Sequence, residues 1–278
     1  MDAIDFPTRA SALQARYGAE AEPPPAGPWN GVIDCLLQHR SVRVYRPNAL
    51  PDGTLEMLVA AAQSAATSSN MQTWSVVAVT EPATKAALAA IAGNQAHIEQ
   101  CPLFLVWIAD LSRLERLGQA VGRTLEGLPY PETFLVAALD AGLAAQNAAV
   151  AAESTGLATV YIGALRNDVE RVAALLGLPP GTMAVTGLCV GYAGEGVPAL
   201  VKPRLPQSVV LHRERYASGG EAAGVAAYDR ALSAFSAAAE RTAYTWTDRV
   251  MSRLGKVAAL SGRDRLVEAL VRLGFPLR

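Results

Sequence analysis

The chain has 278 residues, enough to bury a substantial core, with 24 basic and 25 acidic side chains, a formal net charge of -1 and 51% hydrophobic residues. That balance excludes a general electrostatic pull toward nucleic acid or anionic lipid, and it makes any local cluster of one sign informative. The three cysteines, Cys35, Cys101 and Cys189, stand far apart in apolar stretches. They read as core residues of a protein in the reducing cytoplasm, and they speak against a disulfide framework or a metal site.

In chain order, MDAIDFPTRA has acids and Pro7 where a secretory signal has a basic start and an apolar run, so export is not expected. Residues 8–17 read as a short helix and EPPPAGP, 22–28, as a stiff extended linker. The main domain starts near Trp29. NGVIDCLLQ (30–38) has helical spacing, as does PDGTLEMLVAAAQSA (51–65), which opens on Pro51 and Asp52. WSVVAVT (74–80) and PLFLVWIAD (102–110) are strands, with two short helices between them. Further strands fall at 158–163 and 183–193, separated by a helix over 166–177.

The stretch 133–154 approaches a membrane span in length and apolarity. On a helical wheel, Asp140 and Asn147 share one direction and Gln146 and Glu153 one nearby. Burying such groups in lipid costs several kcal/mol, about 2.5 or more for an Asp. The segment therefore reads as a central helix packed nearly all round by protein, with a second subunit as one source of that packing. Residues 221–273 hold three helix-like segments and no strand. Strands interleaved with helices, then a helical tail, indicate an α/β or α+β layered fold.

No GxGxxG follows a strand, and there is no Walker-type loop or GxSxG elbow. The three histidines, His39, His97 and His212, lack partners at ligand spacing, so no metal is expected. The basic groups remain. QHRSVRVYRPNALP (38–51) places His39, Arg40, Arg43 and Arg46 within eight positions, and Arg40, Ser41 and Arg43 suit a phosphate monoester. In VKPRLP (201–206), Pro203 and Pro206 keep the chain extended, so Lys202 and Arg204 project to one side. In VYIGALRN (160–167), Gly163 and Ala164 end a strand where backbone N–H groups can approach a ligand closely. TSSNMQ (67–72) and GNQAHIEQ (93–100) could read a heterocycle edge or simply cap helices.

In this order, HRSVR, TSSNMQ, GNQAHI, AAQNAAVAAES, GLATVYIGALRN, GLCVGY and KPRLP resemble the nitroreductase superfamily, specifically its NADPH-dependent, oxygen-insensitive nitroreductase and flavin reductase branch. The resemblance covers about 30–216 and leaves residues 1–28 as an extension. It implies an α+β, nitroreductase-like fold: a central mixed, mainly antiparallel sheet flanked by helices, in an intertwined homodimer with FMN sites at the subunit interface. The implied organisation is an N-terminal extension and Pro-rich linker (1–28), an FMN-binding domain (29–216) and a C-terminal helical excursion (217–278) on that domain or on the partner.

By the same resemblance, His39, Arg40, Ser41 and Arg43 would hold the phosphate, the ribityl chain and part of the ring. Ser69, Gln95 and His97 would contact the ribityl chain and ring edge, a backbone N–H of Gly163 or Ala164 would orient the ring's reactive nitrogen, Tyr161 and Ile162 would belong to the same cofactor-binding stretch, and Lys202 and Arg204 would complete the site. Ala164 stands where close relatives often have a second glycine, which keeps the backbone donor and narrows the room beside it. No side chain is expected to act as catalytic acid, base or nucleophile, and Lys202 or Arg43 would support the reduced ring electrostatically. NADPH would be the co-substrate, with Arg241, Arg249, Arg253 and Arg263 available to its 2′-phosphate. The expected activity is ping-pong, two-electron reduction of a small acceptor: a nitroaromatic, a quinone or a flavin. The rivals are a reductase supplying reduced FMN to a monooxygenase and a flavin carrier or sensor without turnover.

Overall fold

The computed structural model describes residues 8–18, 23–25, 27–198 and 200–278. The opening of the N-terminal segment and parts of the linker expected at 22–28 lie outside the described residues. The helices are α1 (Arg9–Tyr17), α2 (Gly31–Leu37), α3 (Thr54–Gln63), α4 (Pro82–Ile91), α5 (Ala96–Gln100), α6 (Ser112–Ala120), α7 (Pro131–Ser154), α8 (Val169–Leu176), α9 (Gln207–Val210), α10 (Glu221–Ala239), α11 (Trp246–Leu254) and α12 (Leu266–Arg272). The strands are β1 (Trp74–Val79), β2 (Leu103–Asp110), β3 (Ala158–Ile162) and β4 (Thr182–Gly191). They divide into two compact units, Ser41–Glu195 with Leu260–Arg278, and Asp2–Arg40 with Gly196–Ala259.

The first unit holds the sheet, in the order β1-β2-β4-β3 with every neighbouring pair antiparallel. Its parallel component is a single bridge from Ser41 to Thr159 on the edge strand β3. All eight residues of β2 are buried, so its run of apolar residues is covered on both faces. On one face Leu103, Leu105 and Trp107 pack with Leu58 and Ala62 of α3 and with Ala144, Ala145, Ala148, Ala149 and Ala152 of α7. On the other, Phe104 meets Leu165 beside Gly187, where a side chain would overlap the Phe104 ring and stand 3.2 Å from Leu165 Cδ1. Gly187→Ala is therefore expected to destabilise the protein by about 1–3 kcal/mol in urea unfolding. A second cluster, Ala109, Ala137, Val169 and Met183 with Ala269, Leu270 and Phe275, seats α12.

Helix α7 is long and apolar enough to cross a membrane, with mean hydropathy 1.5, yet its polar groups bond within the protein. Asp140 is buried, Asn147 Nδ2 donates to the Ala61 carbonyl at 3.2 Å, Gln146 Oε1 accepts from Tyr161, and Glu153 Oε1 accepts from Thr159 at 2.5 Å. Packing nearly all round, expected with a second subunit as one source, is supplied by this chain only in part. The chain itself buries only the alanine face, which lets the helix approach the sheet closely, while Leu135, Leu139 and Leu143 are 54%, 57% and 48% exposed. Other differences are local. Helix α6 had no counterpart among the expected elements, and the helix expected from 166 begins at Val169, because the Asp168 side chain accepts from Arg171 N and caps it there. Of the three cysteines expected in the core, Cys101 and Cys189 are buried and Cys35 is only partly so.

The second unit is helical. In α1, capped by reciprocal hydrogen bonds between Thr8 and Ser11, Ala12, Leu13 and Arg16 form one buried face. Gly18 ends the helix at φ 93°, and a Cβ there would lie 2.7 Å from Ala231 Cβ of α10, so the close approach requires glycine. Helices α10 and α11 are joined by Thr247 on Asp229 and by the Tyr228 and Trp246 rings, 6.0 Å apart.

Candidate functional site

In the first unit, the basic segment is laid along the sheet by its backbone: Val42 N donates to Thr159 O at 2.9 Å and Arg46 N to Tyr192 O at 3.0 Å. Val42 and Tyr45, three positions apart, are buried, while Ser41, Arg43 and Val44 are exposed, so the segment does not follow the strict alternation of a strand. No internal carboxylate pairs with Arg43 among the described residues. Its charge reaches His97 on α5, a half-buried imidazole held below its ordinary value by burial and then by Arg43. His97 Nε2 is buried with no hydrogen-bond partner among the described residues. Gln95 precedes it as the N-cap of α5, with Nε2 on Ala92 O at 3.0 Å.

The imidazolium is disfavoured in the folded state, so the unfolded chain takes up that proton first. His97 should cost stability as pH falls from 6.5 through its folded value. His97→Gln is expected to flatten that part of the stability–pH curve, measured by urea unfolding across the range.

Ser69 is exposed on the turn before β1, where Ser69, Asn70 and Gln72 have φ of 48°, 55° and 52°. What holds three non-glycine residues there is Asp140. Its carboxylate accepts from Thr67 Oγ1 at 2.6 Å, Ser68 N at 3.3 Å, and Thr73 N and Oγ1 at 3.1 and 2.9 Å. From the other side Arg113 donates to Gln72 O, Trp74 O and Ser75 Oγ. Burial alone would raise the Asp110 carboxyl beside it, but the hydroxyls of Ser112 and Ser75 and the Arg113 charge hold it below its ordinary value. The sequence left one signal for this support: Asp140 is the lone carboxylate in the first half of the alanine-rich face of α7.

At the end of β3, Ile162 is buried, and Tyr161 donates to Gln146 at 3.3 Å with its phenol pushed up by burial and by Glu153. Gly163 and Ala164 open a 3₁₀ turn. A Cβ on Gly163 would stand 3.2 Å from Arg166 Nη2, so that space belongs to the protein's own guanidinium, which also donates to Val185 O. Arg263 donates to Asn167 Oδ1 at 3.0 Å.

In the second unit, His39 follows α2, and Arg40, buried, donates from Nη1 to Pro198 O at 3.2 Å. Lys202 Nζ pairs with Glu240 Oε1 at 2.6 Å and donates to Tyr244 OH at 3.0 Å. Arg204 turns its Nη1 to its neighbours' carbonyls, Lys202 O and Pro203 O. Burial would raise Glu240, yet its hydrogen bonds from Lys202 and Tyr244 and the charges of Lys202 and Arg249 keep it low. Arg249 lies 3.8 Å over the Tyr244 ring, Arg253 donates to Ala259 O, and Arg241 is exposed at φ 55°. Sequence reasoning missed Glu240 and Tyr244 as partners of Lys202.

No group of three potential metal ligands occurs among the described residues. A cavity of about 450 Å³ is lined by Leu111, Glu115, Arg123, Leu125, Leu128 and Pro276 among others, and none of the expected site residues borders it. Two of the residues expected to hold FMN, Arg43 and His97, fit an anionic, ring-bearing cofactor: an exposed arginine without an internal acid, and a buried imidazole nitrogen without a partner among the described residues.

Fold and site together define a class: an α+β protein with a helix-flanked antiparallel sheet and a basic segment laid along it by backbone hydrogen bonds. The chain belongs to the nitroreductase family. The Nitroreductase family model matches residues 36–192 and the Nitroreductase family, C-terminal domain model residues 202–278. It is 36% identical over 233 residues to the FMN reductase (NADPH) of Bacillus subtilis (strain 168), covering 80% of this chain and 91% of that protein. It is 35% identical over 227 residues to the NADPH-flavin oxidoreductase of Vibrio harveyi, covering 81% and 91%. The solved structure of B. megaterium NfrA2 superposes with a TM-score of 0.84 at 33% identity, covering 90% of this chain and all of that one.

Proposed function

We propose that this chain is an FMN-dependent NADPH oxidoreductase that reduces a nitroaromatic, quinone or flavin by two electrons in a ping-pong cycle, NADPH and acceptor using one site in turn. The observation that carries it is Arg43 without an internal acid beside an unpartnered His97 nitrogen, in a chain of this family whose relatives are named for NADPH and flavin. When bound, FMN supplies the ring that takes a hydride equivalent and passes on two electrons. The protein's part is binding and electrostatics. His39, Arg40, Ser41, Arg43, Lys202 and Arg204 receive the phosphate and ring, and Ser69, Gln95 and His97 the ribityl chain and ring edge. Tyr161 and Ile162 flank the ring, and the backbone N–H of Gly163 or Ala164 orients its reactive nitrogen. Between the two candidate cations, the structure favours Arg43 for stabilising negative charge on the ring, because Lys202 is neutralised by Glu240.

A second copy of the chain is the proposed occupant of the leucine face of α7, which makes the working form a homodimer in the cytoplasm, acting on small molecules. The proposed division is an FMN-binding domain over 29–216, preceded by an extension and followed by a helical excursion. The two family models part earlier, between residues 192 and 202, which places Lys202 and Arg204 with the C-terminal match.

The test is an anaerobic visible spectrum before and after one equivalent of NADPH, and separately NADH. The expected result is a yellow protein that bleaches with NADPH and recolours with a nitroaromatic or quinone. A yellow protein that neither nucleotide bleaches would make it a carrier or sensor. A colourless protein that takes up no added FMN would remove the reading. Faster turnover with free FMN than with any nitroaromatic would mark a supplier of reduced flavin.

A further inference from the structure

The extension before residue 29 contains a buried cation whose contacts converge on the second unit's basic segments. Arg16 of α1 is 7% exposed. Its Nη1 donates to Lys202 O at 3.0 Å, and its Nη2 to Leu37 O at 2.6 Å and His39 O at 3.2 Å. Its own carbonyl accepts from Arg204 N at 2.8 Å. One planar guanidinium thus gathers carbonyls from two segments that lie more than 160 residues apart, one ending in His39 and Arg40, the other carrying Lys202 and Arg204. Arg40 ties the same two stretches of chain again through Pro198 O.

The placement is built into α1. Ala12 and Leu13 bury the same face as Arg16, the capping box starts the helix, and Gly18 brings its end against Ala231. A rigid fork of donors fixes relative positions better than a flexible point charge can. Where a phosphate is held by several cations, its affinity depends on their spacing, since each contact is worth most at one geometry.

We infer that Arg16 is a positioning residue for the phosphate-binding side of the flavin site: it sets the spacing of the His39–Arg40 and Lys202–Arg204 segments without touching the ligand. This rests on the FMN reading given above. It also assigns a role to the N-terminal extension, which becomes part of the cofactor-binding architecture.

The experiment is a titration of apoprotein with FMN and with riboflavin, which differ only in the phosphate, followed by flavin fluorescence. Wild type, Arg16→Ala, Arg16→Lys and the control Arg9→Ala are compared. Arg9 lies on the same helix over the Trp29 ring and controls for loss of a positive charge. Wild type is expected to prefer FMN by about tenfold or more, as a charged phosphate contact implies. Arg16→Ala should lose most of that preference while riboflavin binding changes little. Arg16→Lys, with a single ammonium for three carbonyls, should fall between, and Arg9→Ala should match wild type.

Equal weakening of both ligands would assign Arg16 a merely structural role and overturn the inference, as would an unchanged preference. If Arg16→Ala does not fold, Arg16→Lys decides, and a wild-type preference there overturns the clamp. A wild type without any preference for FMN would instead refute the phosphate site itself, whatever the variants do.

Discussion

Asp140→Ala is expected to unfold at markedly lower urea, losing about 3–5 kcal/mol, because one buried carboxylate serves Thr67, Ser68 and both donors of Thr73. In a chain of this size that corresponds to a fall in melting temperature on the order of 10 °C. The loss has two sources. The donors left behind include Thr73, itself buried, which finds no water in exchange. The turn also relaxes from its three left-handed residues, Ser69, Asn70 and Gln72, a conformation that non-glycine residues keep only when their surroundings impose it. Asp140→Asn keeps the size and one acceptor oxygen, so it should recover roughly half of the loss. The two variants separate stability from binding. If the turn presents Ser69 to the cofactor, Asp140→Asn should fold and yet bind FMN more weakly than wild type. A loss below about 1 kcal/mol in Asp140→Ala would show that Arg113 and Asp110 hold the segment without it.

How much of this was visible in the sequence follows from the range of the interactions. The strands were legible because β-branched runs report burial locally, and α7 because Asp140, Asn147, Gln146 and Glu153 fall on one side of the helical wheel. Helix α6 was not, since SRLERLGQA has many charged and polar residues and buries only Ser112 and Gly118. The start of α8 could have been found in the sequence, as Asp168 stands three residues before Arg171 in the spacing of an N-cap. The motif residues of the site are local runs and were readable as such. Their supports are not, because Asp140 reaches back 67 to 73 residues, Lys202 forward 38 to Glu240, and Arg16 forward 186 to Lys202. No period or short motif encodes pairs at such distances. Leu135, Leu139 and Leu143 form a face that looks like core in the sequence and is exposed in this chain.

Arg43→Ala should behave in the opposite way to Asp140→Ala: nearly unchanged in urea, and severely impaired in FMN binding. Arg43 is exposed and pairs with no internal carboxylate among the described residues, so its truncation leaves nothing buried and unsatisfied. A charge-assisted contact to phosphate or to the reduced ring is worth about 1.5–3 kcal/mol, which predicts roughly a 10- to 100-fold rise in the FMN dissociation constant. Arg43→Lys should recover part of this, because an ammonium keeps the charge and loses the fork. The internal reporter is His97, whose imidazole Arg43 helps to hold down. In Arg43→Ala its titration, followed by NMR, should move up even without cofactor, which shows that the residue was altered locally. The same change at Lys202 would be harder to interpret, since it also strips Glu240 of its 2.6 Å partner and frees a carboxylate that Arg249 alone must balance. Lys202→Ala should therefore lower stability as well as binding. If Arg43→Ala binds FMN normally and Lys202→Ala does not, the ion pair with Glu240 must open when the cofactor arrives, and Lys202 is the cation that supports it.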